Sequence, residues 1–331
     1  MTSDRGCSLF AHGSFDREIS AMSIGANVLH AIGNTSLVQL RRVVPTSYAR
    51  IQVKLEWENP TGCMKDRAAQ SMIARAEAEG RLKPGDTIIE YTGGSTGISL
   101  ALIALAKGYR IRIVTSDAFS RDKLLHMEAL GAELVLVPSE GGLTTKKLIL
   151  EMIETARELS RAPNTFWTNQ LSNADSIGGY HALGEEIWEQ TGGKVDAFIQ
   201  SVGTAASLRG VDAVLKRHNP NVKIIAVEPA ESPVLSGGQP GPHKIEGVGI
   251  GYIPPLWDPQ LVDEVIPVRT EDAKAMARRL AREEGLFAGT SSGANVVAAI
   301  GLAERLGPAA TIVTLMCDSG LKYLSTDVYG K

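Results

Sequence analysis

Short, nearly unbroken apolar runs alternate with amphipathic stretches along most of the chain, a pattern that predicts an α/β fold. Two strands come first, in LVQLRR and RIQVKLEW. TIIEY, IRIVTS, ELVLVP, TFWTN, DAFIQSV, KIIAVEP, VDEVIPV and TIVTLMC follow. Several of these runs are apolar on both faces, as strands of a doubly covered parallel sheet must be. Right-handed crossovers then bring the loops after the strands to one edge. The length predicts two α/β units dividing near residues 160–170. Residues 1–24 carry no clear period and read as a flexible or loosely docked extension. The Gly/Pro-rich stretch SGGQPGPHKIEGVGIGYIPP, 236–255, is a long loop of the kind that carries function.

One helix start stands out. From Asp66 the pattern is helical, with Ala69, Met72, Ile73 and Ala76 on one face and Gly80 as a stop, after the turn residues Asn59-Pro60-Thr61-Gly62. Lys65 therefore falls in the first turn, where a cation opposes the helix dipole by ~0.3–1 kcal/mol. Either it is an indifferent surface residue or its amine is held there for use.

Composition narrows the partners. The 331 residues are 44% hydrophobic, with 34 glycines and 5% aromatics, which fits a globular protein of about two domains. Net charge is −3 and no run of five like charges occurs, so the footprint of a nucleic-acid binder is missing. The apolar stretch in GISLALIALAKG is too short to span a membrane, and no basic segment leads into an apolar run at the N-terminus. The expectation is a soluble, cytoplasmic protein with small-molecule partners. Cys7, Cys63 and Cys317 form no C-x-x-C and the six histidines form no close pair, so neither a disulfide framework nor a metal site is expected.

Four strand-to-helix turns are rich in Gly, Ser and Thr: Thr92-Gly93-Gly94-Ser95-Thr96-Gly97, Gly203-Thr204-Ala205-Ala206-Ser207, the segment around Thr290, Ser291 and Ser292, and Asp318-Ser319-Gly320. Each alone reads most simply as a tight turn with a Ser or Thr cap. The first matches neither G-x-G-x-x-G nor the P-loop. Gathered on one edge with a helix-start lysine, however, such turns offer backbone N–H groups to an anion beside a nucleophilic amine. Pyridoxal phosphate is the cofactor that needs both.

With these residues the chain resembles the cysteine synthase family of fold-type II pyridoxal-phosphate enzymes, which also includes cystathionine β-synthases and, more distantly, serine and threonine dehydratases. The resemblance runs from AIGNTSLVQL (31–40) to DSGLKYLST (318–326). It implies two doubly wound, mostly parallel sheet domains with the cofactor in the cleft between them: a smaller one over 55–161, and a larger one over 25–54 plus 162–331. NPTGCMKDR is similar to the family's cofactor-lysine motif, which makes Lys65 the implied Schiff-base residue. Gly203, Thr204, Ala205, Ala206 and Ser207 fall at the glycine-rich phosphate loop, where the two alanines are tolerated if the backbone avoids positive φ. Thr92, Gly93, Gly94, Ser95 and Thr96 stand where the family has Thr-Ser-Gly-Asn-Thr, the loop that holds the substrate carboxylate and whose Asn contacts the cofactor ring hydroxyl. Gly93 removes a hydroxyl and Ser95 shortens that reach. Gln170 falls at a glutamine that helps hold the carboxylate, and Ser319 at the partner of the pyridine nitrogen.

A hydroxyl partner leaves the ring a modest electron sink, suited to loss of a β substituent. The implied activity is β-replacement on an activated serine, O-acetylserine or O-phosphoserine, by sulfide or another small sulfur nucleophile such as thiosulfate. Lys65 serves as general base. GPHKIEGVGIGYIPP resembles the segment that flanks the active site of cysteine synthases. Alternatives are cystathionine β-synthase activity, a dehydratase, or a non-catalytic cofactor-binding partner protein. The resemblance also implies a homodimer whose cleft can dock the tail of serine acetyltransferase, while the composition predicts no nucleic acid, membrane or metal.

Overall fold

A computed structural model of the protein describes residues 25–142 and 145–330, and the expected extension, residues 1–24, lies outside them. Every expected apolar run forms a strand. In chain order the elements are β1 (Leu37–Gln39), β2 (Arg50–Leu55), α1 (Lys65–Ala78), β3 (Thr87–Tyr91), α2 (Ser95–Lys107), β4 (Arg110–Thr115), α3 (Arg121–Ala129), β5 (Glu133–Leu136), α4 (Lys146–Leu159) and β6 (Thr165–Trp167). There follow α5 (Asp175–Gly178), α6 (His181–Gln190), β7 (Ala197–Ser201), α7 (Ala206–His218), β8 (Lys223–Pro229), β9 (Glu264–Val268), α8 (Thr270–Arg279), α9 (Thr290–Leu306) and β10 (Thr311–Met316).

The strands form two sheets. A four-stranded sheet has the order β5-β4-β3-β6 and a six-stranded one the order β1-β2-β10-β7-β8-β9. All pairings are parallel except that of β1 with β2. Strands β3, β7 and β10 are buried along their whole length, which is why their sequences carry no polar alternation. The expected division placed residues 162–331 with the larger unit. Thr165–Trp167 instead pairs with β3, Thr87 opposite Thr165, so the smaller sheet extends past residue 161. Phe166 is buried in that sheet's core, which accounts for the placement.

Each sheet is covered on both faces. On the smaller one, α1 and α2 pack Met72, Ile73, Ile98 and Leu100 against Ile88, Ile111 and Ile113. The other face carries α4, with Leu148 and Met152 against Ile89 and Val114. On the larger sheet, α8 and α9 cover Ile51, Val53, Ile225 and Val227, while α6 and α7 cover Phe198, Ile224 and Val313. Burying one such Leu or Ile contributes about 1.5–3 kcal/mol. Parallel pairing sends the C-terminal ends of β3, β7 and β10 into the loops that begin at Thr92, Val202 and Cys317.

Candidate active site

The lysine loop is clamped onto the end of β10. Cys63 pairs with Asp318 in an antiparallel bridge, Met64 N–H donates to the Cys317 carbonyl at 2.9 Å, and Ser319 N–H donates to the Gly62 carbonyl at 3.0 Å. Helix α1 then begins at Lys65 itself. Asp66, the next residue, accepts from Thr61 N at 2.8 Å and Thr61 Oγ1 at 2.5 Å, supplying the carboxylate that a helix start favours. The following residue, Arg67, is fixed between Glu56, 2.8 Å from its Nε, and Glu186, 2.7 Å from Nη1. The lysine side chain is half-buried on this fixed base. Burial lowers its proton affinity, against the neighbouring Cys317, Cys63 and Asp318. Other buried lysines are tied down: Lys54 by Glu186 at 2.6 Å, Lys274 by Asp327 at 2.9 Å and Lys123 by Glu246. Among the described residues, no such partner engages Lys65 Nζ.

The second turn follows β7. Gly203 must be glycine, because a Cβ there would lie 2.4 Å from the Gly247 carbonyl oxygen, so the 236–255 loop presses directly onto this turn. Gln200 Nε2 donates to Ser207 Oγ at 2.6 Å and lies 3.8 Å from Met64 Sδ, which joins this loop to the lysine loop through one side chain. The condition set for the alanines is not met at both. Ala205 sits in the left-handed region, φ 68°, as the residue before α7, and only Ala206 is helical. An L-residue there costs roughly 1–2 kcal/mol. Ala205→Gly should therefore stabilise the protein by about 0.5–1 kcal/mol after the loss of unfolded-state stiffness. An unchanged or lower guanidinium unfolding midpoint would show the strain is absent.

The expected Ser or Thr caps are largely missing. Gly94, Ala205 and Gly289, the residues preceding α2, α7 and α9, provide no side-chain cap, and neither does Met64 before α1. Thr204 Oγ1 reaches only Ala206 N, at 3.4 Å. Helix starts on one edge thus keep N–H groups for a ligand. Of the four turns, that of Ser319 does carry a cap, its Oγ accepting from Leu321 N at 3.2 Å at the start of the short turn Gly320–Tyr323. Its own hydroxyl hydrogen is left over.

The Thr92–Thr96 loop faces this group from the smaller sheet. Thr61 Oγ1 and Cys63 Sγ lie 3.4 and 3.5 Å from Ser99 Oγ in the first turns of α2, and Lys322 Nζ lies 3.3 Å from Ser95 Oγ. Thr92 Oγ1 accepts from Gly94 N at 3.1 Å, Thr96 is buried, and Gly94 opens onto free space. Gly93 is covered: a Cβ there would lie 2.0 Å from the Phe119 ring. Gln170 stands beside the loop, its Nε2 3.3 Å from the Tyr91 carbonyl.

Glu90 holds these two segments together, accepting from Gln170 N at 3.0 Å, Tyr91 N at 2.9 Å and Thr168 Oγ1 at 2.5 Å. Its burial pushes the carboxyl from 4.5 up to about 7, against the hydrogen bonds of Thr168, Gln170 and Tyr91. The folded pKa exceeds the unfolded one, so this group's stabilising contribution is full below pH 4.5 and is lost as pH rises through about 7. Between about pH 4.5 and 7 the wild-type unfolding free energy should fall more steeply than that of Glu90→Gln. Parallel pH profiles would rule this out.

A sequence profile of the family described as pyridoxal-phosphate dependent enzyme matches residues 28–318. A cysteine synthase of Staphylococcus aureus (strain N315) is 44% identical over 306 residues, 92% of this chain and 96% of that one. The chain belongs to the cysteine synthase family of pyridoxal-phosphate-dependent enzymes. The crystal structure of cysteine synthase from Entamoeba histolytica matches with a TM-score of 0.88 at 39% identity, over 98% of this chain and 94% of the other. An O-acetylserine dependent cystathionine β-synthase from Helicobacter pylori matches with a TM-score of 0.86 at 34% identity, over 93% of this chain and 100% of the other. The expected fold type and family are thus borne out.

The residues of this family member fit the cofactor chemically. A half-buried amine without a partner, an uncapped helix start for a phosphate and a hydroxyl with a hydrogen to donate are the donor set that pyridoxal phosphate requires. Sequence reasoning missed Glu90, Phe119, Gln200 and Lys322. Lys322 lies within the quoted GLKYLST segment, but nothing in the pattern signals that its side chain is buried. Cys317, adjacent to the site, is no reactive thiol, because burial and Asp318 push it up to about 11.

Proposed function

We propose that the protein catalyses β-replacement on an activated serine, O-acetylserine or O-phosphoserine, with sulfide or another small sulfur nucleophile, giving cysteine or an S-substituted cysteine. The observation that carries this is the partnerless Lys65 amine at an uncapped helix start, clamped to the end of β10 next to Ser319. Bound there, pyridoxal phosphate would supply the electron sink for the carbon that bears the substrate amino group. Lys65 would hold the cofactor covalently and, once released, take the α-proton; burial shifts the amine toward its neutral, basic form. The N–H groups of Gly203 to Ser207 and the α7 dipole would bind the phosphate. Ser319 would donate its hydroxyl hydrogen to the ring nitrogen without protonating it. Ser95 would face the ring oxygen, and Thr92 to Thr96 with Gln170 would hold the substrate carboxylate.

Steady-state kinetics with O-acetylserine, O-phosphoserine and serine, each against sulfide, thiosulfate and homocysteine, test this reading. The expected result is the highest kcat/KM with an O-activated serine and an inorganic sulfur donor. A preference for homocysteine would make the protein a cystathionine β-synthase, and pyruvate release without a nucleophile would make it a dehydratase. No turnover with any pair, by a protein that binds the cofactor, would favour the non-catalytic partner.

Two finer proposals accompany this reading. The cofactor lies in the cleft between the units that carry the two sheets, and the chain works as a cytoplasmic homodimer whose cleft accepts the tail of a serine acetyltransferase. No helix among the described residues is long and apolar enough to cross a membrane. Light scattering gives the oligomeric state, and a tail peptide that fails to compete with O-acetylserine would remove the second partner.

A further inference from the structure

We infer that Lys322 is a positioning residue that aims the Ser95 hydroxyl at the ring oxygen of pyridoxal phosphate, so that one short turn, Ser319–Tyr323, governs both polar edges of the cofactor ring. The inference rests on the proposed placement of Ser95 and Ser319. Its geometric basis is a contact across the two sheets: Lys322, on the turn after β10, reaches Ser95, the first residue of α2, with Nζ 3.3 Å from Oγ. An ammonium group has three hydrogens to give and no lone pair. Ser95 Oγ must therefore be the acceptor, and its own hydrogen has to go elsewhere. Lys322 is 8% exposed, whereas Ser95 is half-buried. The hydroxyl hydrogen is thus free to point away from Lys322, as a donor.

The cation is held in place from several directions. Burial works against its charge, but Cys63, Asp318 and Asp66 outweigh burial and keep the ammonium protonated. The turn that carries it is fixed at both ends: Ser319 caps it, and Tyr323 donates to Asp318 Oδ2 at 2.9 Å. A Cβ on Gly62 would lie 3.6 Å from Ser319 Cβ and 4.0 Å from Lys322 Cε, so the lysine loop rests on the same turn. A hydroxyl that accepts from a cation is also a stronger donor than a free one.

The test uses the cofactor-loaded protein and two readouts other than turnover: the position of the visible absorption band, and the dissociation constant of pyridoxal phosphate from release on dilution. Ser95→Ala and Lys322→Met should each shift the band and weaken cofactor retention by about tenfold, the loss of one hydrogen bond to a charged group. The double variant should be no worse than either single one, and Lys322→Arg should stay near wild type. Lys322→Met with an unmoved band and constant, while Ser95→Ala loses both, would overturn the inference, as would additive losses in the double variant. If Lys322→Met does not fold, Ser95→Ala decides with Lys322→Arg: the inference stands if the first loses the band position and the second keeps it, and falls if Ser95→Ala changes nothing. A chain that takes up no pyridoxal phosphate would instead refute the proposed function.

Discussion

Lys65→Ala should yield a colourless protein whose β-replacement activity is lower by about 10²–10⁴-fold, the usual contribution of a positioned general base, with the lost covalent anchor added to it. The same substitution should leave the fold at least as stable. It removes a cation from the positive end of α1, worth ~0.3–1 kcal/mol, and puts the best helix former at its first position. Helix α1 does not depend on Lys65 for its attachment, because Asp66 is bound to Thr61 and Arg67 to Glu56 and Glu186. Activity and stability thus move in opposite directions, the signature of a residue kept for chemistry. Borohydride reduction of the wild-type holoenzyme followed by peptide mapping should place the cofactor on Lys65. A modified lysine elsewhere, or a visible band that survives in Lys65→Ala, would end this assignment.

The strands were legible because those of a doubly covered parallel sheet are apolar throughout, and each expected run became one. The α1 start was legible for a related reason: Pro60 and Gly62 fix the turn, and Lys65 opposes a known local field. What stayed hidden depends on contacts between residues far apart in the chain. The positive φ of Ala205 arises where the 203–207 turn meets the 236–255 loop, and a chemically ordinary alanine gives no sign of it. Trp167 belongs to the smaller sheet because β3 has a free edge there, not because of its own neighbours in sequence. Nothing in the sequence pattern marks Glu90 or Lys322 as site residues, because their partners Gln170 and Ser95 are distant in the chain.

Phe119 is the clearest case, and it reverses the simplest engineering expectation. The family resemblance implies a serine where this chain has Gly93, so introducing one would add a hydroxyl to the proposed carboxylate loop. The position of a Cβ is set by the backbone, however, and at residue 93 it would sit 2.0–2.3 Å from three atoms of the Phe119 ring, so no side-chain rotamer relieves the clash. Phe119 is half-buried and packs against the cluster of Ile89, Tyr91 and Val114, so moving its ring aside breaks those contacts. Gly93→Ser should therefore cost about 1–3 kcal/mol of stability and displace the Thr92–Thr96 loop, lowering kcat/KM for the preferred activated serine by at least about tenfold. Phe119→Ala alone removes packing and should also destabilise the protein. In the double variant Gly93→Ser/Phe119→Ala the serine finds the vacated space, so the two losses should not add, and a coupling of about 0.5–3 kcal/mol should appear in the cycle. Only in that background does the added hydroxyl have room to act on a substrate carboxylate. A Gly93→Ser variant with wild-type stability and raised kcat/KM would mean that Phe119 yields freely, and that the apolar wall over this loop plays no part in setting what the site accepts.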